Sequence, residues 1–462
     1  MIQNTGSKSF LALVCFVASL GGVLFGFDTA VISGTFGMVE AHFLLSKIEV
    51  GWFASSALVG AIFGALIAGS LSDTYGRKPV LIVAALLFFV SALCSAVPPT
   101  FTLLIIARFI GGIGVGMASV LSPLYISEFS PPSVRGRLVA LYQLSIVIGI
   151  LLAYLSNWML LRFSNSHQDS FAELNILHQV FVTEVWRGMF AAEMIPSSLF
   201  VALLFIIPET PRWLIKNDQK DKGFEILARI SGIKIAEFEL NEIRNTVNHV
   251  KGKIRDMIRP GLRLALIVGV GLSVFGQFTG VNIIVYYGPA ILENAGFKLD
   301  SALQFQVAIG IINLMFTIIA LWKIDSWGRR PLLIWGMASV CVSLLIITAL
   351  FYAEQTSGML IIIMLCVYMA SLAISINAVI WVLTGEIFPN KIRGRAMSIA
   401  TFSNWSINFL TAFLFPWYIQ QTSMSTGFLT FAGFCLVATI FFYRFVPETK
   451  GKSLEEIERY WQ

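Results

Sequence analysis

The chain reads as long apolar runs separated by short polar loops. Runs of about 20 apolar residues, enough to cross a bilayer core as helix, fall near 10–33, 51–71, 79–98, 101–127, 137–160, 187–207, 263–290, 303–324, 331–352, 358–384, 396–419 and 427–446. The pattern predicts an all-α membrane protein of twelve transmembrane helices, six on either side of a polar stretch from Pro208 to Leu262. Within that stretch, Lys222–Ile230 and Ala236–Val250 carry apolar residues at helical spacing among charges, which predicts short helices rather than a loose linker. The expected organisation is a six-helix bundle over 1–207, linker helices over 208–262, a second bundle over 263–446 and a tail over 447–462. The first run exceeds a signal-peptide core and no small-residue cleavage site closes it, so it is read as a span.

Composition agrees with this pattern. Of 462 residues, 57% are hydrophobic and only 13% charged, against about a quarter charged in soluble chains. The net charge of +6 has no nucleic-acid character, because the basic residues sit in short clusters between apolar runs. With the N-terminus taken as cytoplasmic, 27 of the 32 Lys and Arg fall on the cytoplasmic side, four fall outside, and Arg108 lies within span four. Both termini are therefore expected in the cytoplasm. The five cysteines are widely spaced in or beside apolar runs and form no CxxC pair, so they read as packing residues. The four histidines lack metal spacing. No nucleophile–base motif or phosphate-cradling loop appears, so neither an enzyme nor a cofactor or metal site is expected. Gly111-Gly-Ile-Gly-Val-Gly116 lies inside span four with no preceding strand, where it predicts close helix packing.

The chain repeats itself. Asp73-Thr-Tyr-Gly-Arg-Lys-Pro79 follows span two, and Asp325-Ser-Trp-Gly-Arg-Arg-Pro331 follows span eight. Glu128 precedes Arg135 by seven residues, and Glu386 precedes Arg393 by the same seven. Pro208-Glu-Thr210 follows span six, and Pro447-Glu-Thr449 follows span twelve. Three motifs recurring in order predict a duplicated bundle with parallel halves, an arrangement that places a substrate site at mid-membrane between the halves.

Two sets of polar residues inside the spans carry candidate chemistry. The first is charged: Asp28 in span one, Arg108 in span four and Glu193 in span six. Ionisable groups at this depth are functional by default. The second is neutral, as recognition of a hydroxylated ring requires: amides offer donor and acceptor without a buried charge. Gln143, Ile146, Val147 and Ile150 share one face of span five. Gln277 and Asn282 in span seven would diverge on a regular helix, so the nearby Gly276, Gly280, Gly288 and Pro289 predict that the span is broken there. Asn313 lies in span eight, Asn377 and Trp381 in span ten, and Asn404, Trp405 and Asn408 in span eleven.

The sequence resembles the sugar porters of the major facilitator superfamily over nearly its whole length, with the character of bacterial sugar–proton symporters. The resemblance rests on Gly21–Gly34 around Asp28, the two Asp-x-x-Gly-Arg-[Lys/Arg]-Pro loops, Pro208-Glu-Thr-Pro-Arg-Trp213, Gln277-Phe-Thr-Gly-Val-Asn282 and Pro447-Glu-Thr-Lys-Gly451. It implies two six-helix bundles, an inner (plasma) membrane location, a monomer, and a monosaccharide and a proton as partners. It carries Gln143, Gln277, Asn282, Asn313, Trp381, Asn404 and Trp405 onto sugar-contact positions, with Ile146 and Ile150 as walls and Phe25, Tyr286 and Tyr287 as lining or gating aromatics. It groups Asp28, Arg108 and Glu193 beside the sugar site, with Asp28 taking up the proton; facilitators of sugar alone usually have asparagine there. Two changes leave the exact sugar open: Gly276 replaces the first of a glutamine pair, and Ser375-Ile-Asn-Ala-Val-Ile-Trp381 lacks the usual Gly-Pro. Ile150 is isoleucine, as in the hexose facilitators.

Coupling follows from opposed forces on Asp28: burial favours its neutral form and Arg108 its charged form. If opening separates the pair, Asp28 loads a proton and Arg108 is freed toward partners such as Glu193. An inner gate is expected from Asp73, Arg77, Glu128 and Arg135 in one half and Asp325, Arg329, Glu386 and Arg393 in the other, joined by Glu209, Arg212 and Glu448. The alternatives are a uniporter with a purely structural Asp28, and a membrane sugar sensor that does not transport.

Overall fold

The structure is a computed structural model; it describes residues 6–131, 134–167, 176–246, 262–355, 358–388, 393–452 and 456–457. Eleven helical segments among them are long and apolar enough to cross a membrane: Lys8–Gly34, Lys47–Tyr75, Arg77–Ala96, Phe101–Phe129, Arg135–Ser166, Val185–Ile206, Leu262–Asn294, Leu299–Trp327, Arg329–Tyr352, Met359–Ile387 and Met424–Phe445. The remaining predicted span, Arg393–Gln421, is an unbroken helix of 29 residues. It falls short of the same apolarity because Asn404, Asn408 and a series of serines and threonines dilute it. The linker beyond Thr246, the centre of the 161–186 loop at 168–175, and parts of the tail at 453–455 and 458–462 lie outside the described residues.

Span seven breaks as the glycines predict. Its first helix ends at Phe278, Gly280 sits at φ +81°, and a second helix starts at Val281. The left-handed backbone at Gly280 is costly for any residue with a Cβ. Gly276, Gly288 and Pro289 lie within the two helices rather than at the break. Span ten breaks as well, at Ser375, although it lacks the Gly-Pro pair. Span six loosens at Ala192–Glu193, where Pro196 removes the N–H that would bind the Ala192 carbonyl.

Contacts divide the chain into two compact units: Met1–Thr29 with Ser56–Ala153 and Arg187–Val250, and Ala30–Ser55 with Tyr154–Trp186 and Lys251–Gln462. The units cut across the chain-order boundaries of the sequence reading. Ala30–Ser55 and Tyr154–Trp186 fall into the second because their side chains are fastened there. Phe36 stacks on Tyr287 at 4.5 Å, Trp52 meets Phe409 and Phe413 edge-on, and the Tyr154 hydroxyl donates to the Val285 carbonyl.

The first unit is held by backbone meeting backbone. An added Cβ on Gly60 or Gly64 would collide with the carbonyls of Phe109 or Ile113, and one on Gly112 or Gly116 with those of Ala57 or Ala61. Spans two and four thus interlock through glycines spaced i, i+4 on both helices. Spans one and five meet the same way, Gly26 against the Ile146 carbonyl and Gly149 against that of Val23. The linker helices Pro211–Lys216, Lys220–Ser231 and Ile233–Thr246 close around Ile215, Leu227, Ala228 and Ala236. They reach the start of span one, where the Arg229 guanidinium lies over the Phe10 ring at 4.0 Å and the Ser7 N–H donates to the Arg229 carbonyl.

Gly116→Val places a branched side chain against the Ala61 carbonyl. It is expected to destabilise the protein by ~1–3 kcal/mol, read as a lower midpoint in detergent thermal unfolding. The same change at Gly136, where an added Cβ meets nothing within 4 Å, leaves the midpoint near that of the parent.

Candidate functional site

The charged cluster of the first unit lies on spans one, four and six. Asp28, Arg108 and Glu193 are 1%, 2% and 1% exposed. Arg108 Nη1 donates to Asp28 Oδ1 at 2.6 Å, and Nη2 donates to the Asp28 backbone carbonyl at 3.1 Å. One guanidinium therefore holds both the side chain and the main chain of Asp28. The cluster's hydrogen bonding is incomplete: Arg108 Nε and Glu193 Oε1 are buried without a hydrogen-bond partner. Glu193 nonetheless lies within the electrostatic reach of Asp28 and Arg108. Phe190 lies one helical turn from Glu193, and its ring sits 5.6 Å from the Arg108 guanidinium carbon. Gly111 keeps the space beside Asp28 open, since a Cβ there would lie 3.4 Å from Asp28 Oδ1 and against the Ser91 hydroxyl. Arg187 donates to the carbonyls of Ala96 and Pro98.

The neutral cluster belongs to the second unit. Asn282 Nδ2 donates to Gln277 Oε1 at 2.6 Å, and Gln277 Nε2 donates to Asn404 Oδ1 at 2.8 Å. The break at Gly280 is what turns Gln277 and Asn282 toward each other across five residues. One turn beyond Asn404, Asn408 exchanges hydrogen bonds with the Tyr286 hydroxyl at 3.2–3.4 Å. The Tyr287 hydroxyl donates to the Ala412 carbonyl at 2.9 Å. Asn313 is 5% exposed and its Oδ1 has no partner. Trp405 is buried, while Trp381 is 40% exposed. Of the first-unit residues proposed to contact sugar, Phe25, Gln143 and Ile146 are half-buried and Ile150 is buried on the same face of span five.

The duplicated loop motifs form one network in each unit. In the first, Arg77 donates to Glu128 at 3.1 and 3.2 Å and to Asp73 at 3.0 Å. In the second, Arg329 pairs with Glu386 at 2.9 Å and with Asp325 at 3.0 Å. The Pro-Glu-Thr glutamates do something that spacing did not predict: they cap helices. Glu209 accepts from the Lys78 N–H at 3.0 Å, and Glu448 accepts from the N–H groups of Arg329 and Arg330, both at 3.1 Å. Each carboxylate thus sits at the positive end of the helix that follows a Gly-Arg pair. The glycines make room. Gly76 and Gly328 have φ of +104° and +87°, and a Cβ on either would strike the carboxylate of Glu209 or Glu448. Burial pushes the Glu209 carboxyl above its ordinary range, against the opposing pull of the Thr210, Lys78 and Arg77 N–H groups.

Two expected gate residues stand apart from these networks. Arg135 is exposed and donates to the Ser130 carbonyl, because Glu128 is already held by Arg77. Arg212 is exposed on the first linker helix. The Arg393 side chain lies outside the described residues.

Residues 14–461 match the family model described as "Sugar (and other) transporter". The chain is a member of this sugar transporter family. Among its relatives, it is 38% identical to an arabinose-proton symporter of Bacillus subtilis, with 100% of this chain and 97% of the relative covered. It is 36% identical to a D-xylose-proton symporter of Escherichia coli, with 99% and 96% covered. Among solved structures, it matches an inward-open conformation of the xylose transporter of E. coli at 35% identity, with a TM-score of 0.83, covering 98% of this chain and 100% of that one. This sugar transporter is therefore a multi-pass membrane protein of the twelve-helix major facilitator fold, in a family of transporters rather than enzymes.

Within the sugar transporter, the sequence reading missed the capping role of Glu209 and Glu448 and the Tyr286–Asn408 bond. Asn408 carried a signal, since it lies four residues from Asn404 on one helical face. The caps had only the recurrence of Pro-Glu-Thr. Gly76→Ala is expected to cost ~1–3 kcal/mol, seen as a lowered unfolding midpoint. Combining it with Glu209→Ala should cost less than the two single changes summed, because the displaced carboxylate is then gone.

Proposed function

We propose that this protein takes up a monosaccharide, a hexose or pentose, across the inner (plasma) membrane together with a proton. The observation that carries the reading is the buried Asp28–Arg108 pair at 2.6 Å with an unpartnered Glu193 oxygen nearby. A pair buried this deeply is poised for exchange. Protonation of Asp28 removes the charge that holds Arg108, and Glu193 then offers the guanidinium a second carboxylate. The functions of the relatives, arabinose-proton and xylose-proton symport, support the same reading.

Sugar recognition falls to Gln277, Asn282, Asn404 and Asn313, with Gln143 on span five. Phe25, Ile146, Ile150, Tyr286, Tyr287, Trp381 and Trp405 supply apolar faces and gating rings. In the bonded chain of Asn282, Gln277 and Asn404, hydroxyls of a sugar replace amide–amide bonds one for one, so no buried polar group is left bare. The Arg77–Glu128 and Arg329–Glu386 networks lie on the cytoplasmic side with both termini. There they brace the loops that part and close as the halves rock. The protein works as a monomer in the bilayer.

In liposomes with an imposed proton gradient, Asp28→Asn is expected to abolish uphill accumulation of arabinose or xylose while sparing sugar exchange. Equal accumulation by wild type and variant would leave a uniporter as the correct reading. Gln277→Ala should raise the sugar KM about tenfold, the scale of a hydrogen bond left unmade, with the proton-to-sugar ratio unchanged.

A further inference from the structure

The second half of span seven, Val281–Asn294, contains Pro289. Proline has no N–H, so the carbonyl four residues earlier, on Val285, loses the donor a regular helix supplies. At membrane depth that carbonyl has no water to turn to. Tyr154 of span five covers it, its hydroxyl donating to Val285 O at 3.3 Å. The neighbouring carbonyl of Ile284 accepts from Gln306 Nε2 of span eight at 2.9 Å. Gly288 makes the notch for this amide: a Cβ there would lie 2.6 Å from Gln306 Nε2 and 2.7 Å from Gln306 Cδ. Tyr154 and Gln306 are 2% and 0% exposed, and neither belongs to the amide chain on Gln277.

We propose that Tyr154 and Gln306 are positioning residues that latch the second half of span seven, and that release of their two hydrogen bonds is a step in the movement that opens the sugar path. The same half-helix carries Asn282, Tyr286 and Tyr287, so its position governs the sugar-facing groups although neither latch residue touches sugar. A carbonyl bonded by one hydroxyl or one amide is held or released, which suits a two-state element. The inference rests on the chain being an alternating-access sugar carrier.

The test pairs Tyr154→Phe and Gln306→Met, which keep volume and remove the donor, with Ala290→Cys as a reporter beside Pro289. Labelling by a membrane-impermeant maleimide is followed in liposomes without sugar, above the background of the native thiols. Either donor loss is expected to speed labelling of Ala290→Cys about fivefold, the scale of one net hydrogen bond. D-xylose and L-arabinose affinity, read by tryptophan fluorescence, should stay within about twofold, with Vmax rather than KM altered. Unchanged labelling in both variants overturns the latch. So does a fall in sugar affinity as large as the change in labelling, which marks a merely structural role. Because the labelling arm needs no sugar, failure of the transport reading would show separately, as a wild-type protein that binds neither sugar.

Discussion

A polar group at membrane depth must find its partner within the protein, and the organisation of this chain follows from that constraint. The regular helix meets it for backbone groups. At several interruptions of the helix, a side chain takes over. Asn157 donates to the Val31 carbonyl where span one tightens. Tyr368 donates to the Thr279 carbonyl at the break of span seven. Tyr154 and Gln306 serve the carbonyls before Pro289. Asp28 is the charged version of the same problem, satisfied by an arginine that also binds its main chain. Interruptions and candidate functional side chains coincide here: Glu193 lies on the loosened turn of span six, and Gln277 and Asn282 flank Gly280.

The two units divide the labour. The first holds the buried charges on a frame of interlocking glycines, with little side-chain volume between the helices at the crossings. The second holds the amides on the broken span seven and the continuous spans eight and eleven, where hydroxyls and amides do the fastening. The loop networks are shared. There the duplication kept even the detail that a glutamate fills the space a glycine leaves, at Gly76 with Glu209 and at Gly328 with Glu448.

How much of this was legible in the sequence depended on how unusual each residue was in its run. Asp28, Arg108 and Glu193 stood out because charge in an apolar run is costly. The loop motifs stood out because they recurred. The break in span seven was readable from its glycines, although only Gly280 marks the spot; the break at Ser375 had no such sign. Span eleven shows the opposite effect, since the amides that make it interesting also thin its apolar signal. Donors to bare carbonyls were not legible. A tyrosine or glutamine in an apolar run looks the same whether it reaches lipid, a ligand or a main-chain oxygen 131 positions away, as Tyr154 does. Arg135 shows the reverse error, where motif membership implied a place in an ion-pair network although Glu128 is held by Arg77.

The glycine-on-carbonyl crossings of the first unit also bear on how such a protein changes over evolutionary time. Where main chain rests on main chain, almost every substitution adds atoms to a space that holds none, so drift at these positions is largely closed. The amide-lined spans of the second unit can exchange one side chain for another of similar size without moving a helix. Side-chain exchange should therefore concentrate in the second unit, while the glycine crossings of the first pass nearly unaltered from one descendant to the next.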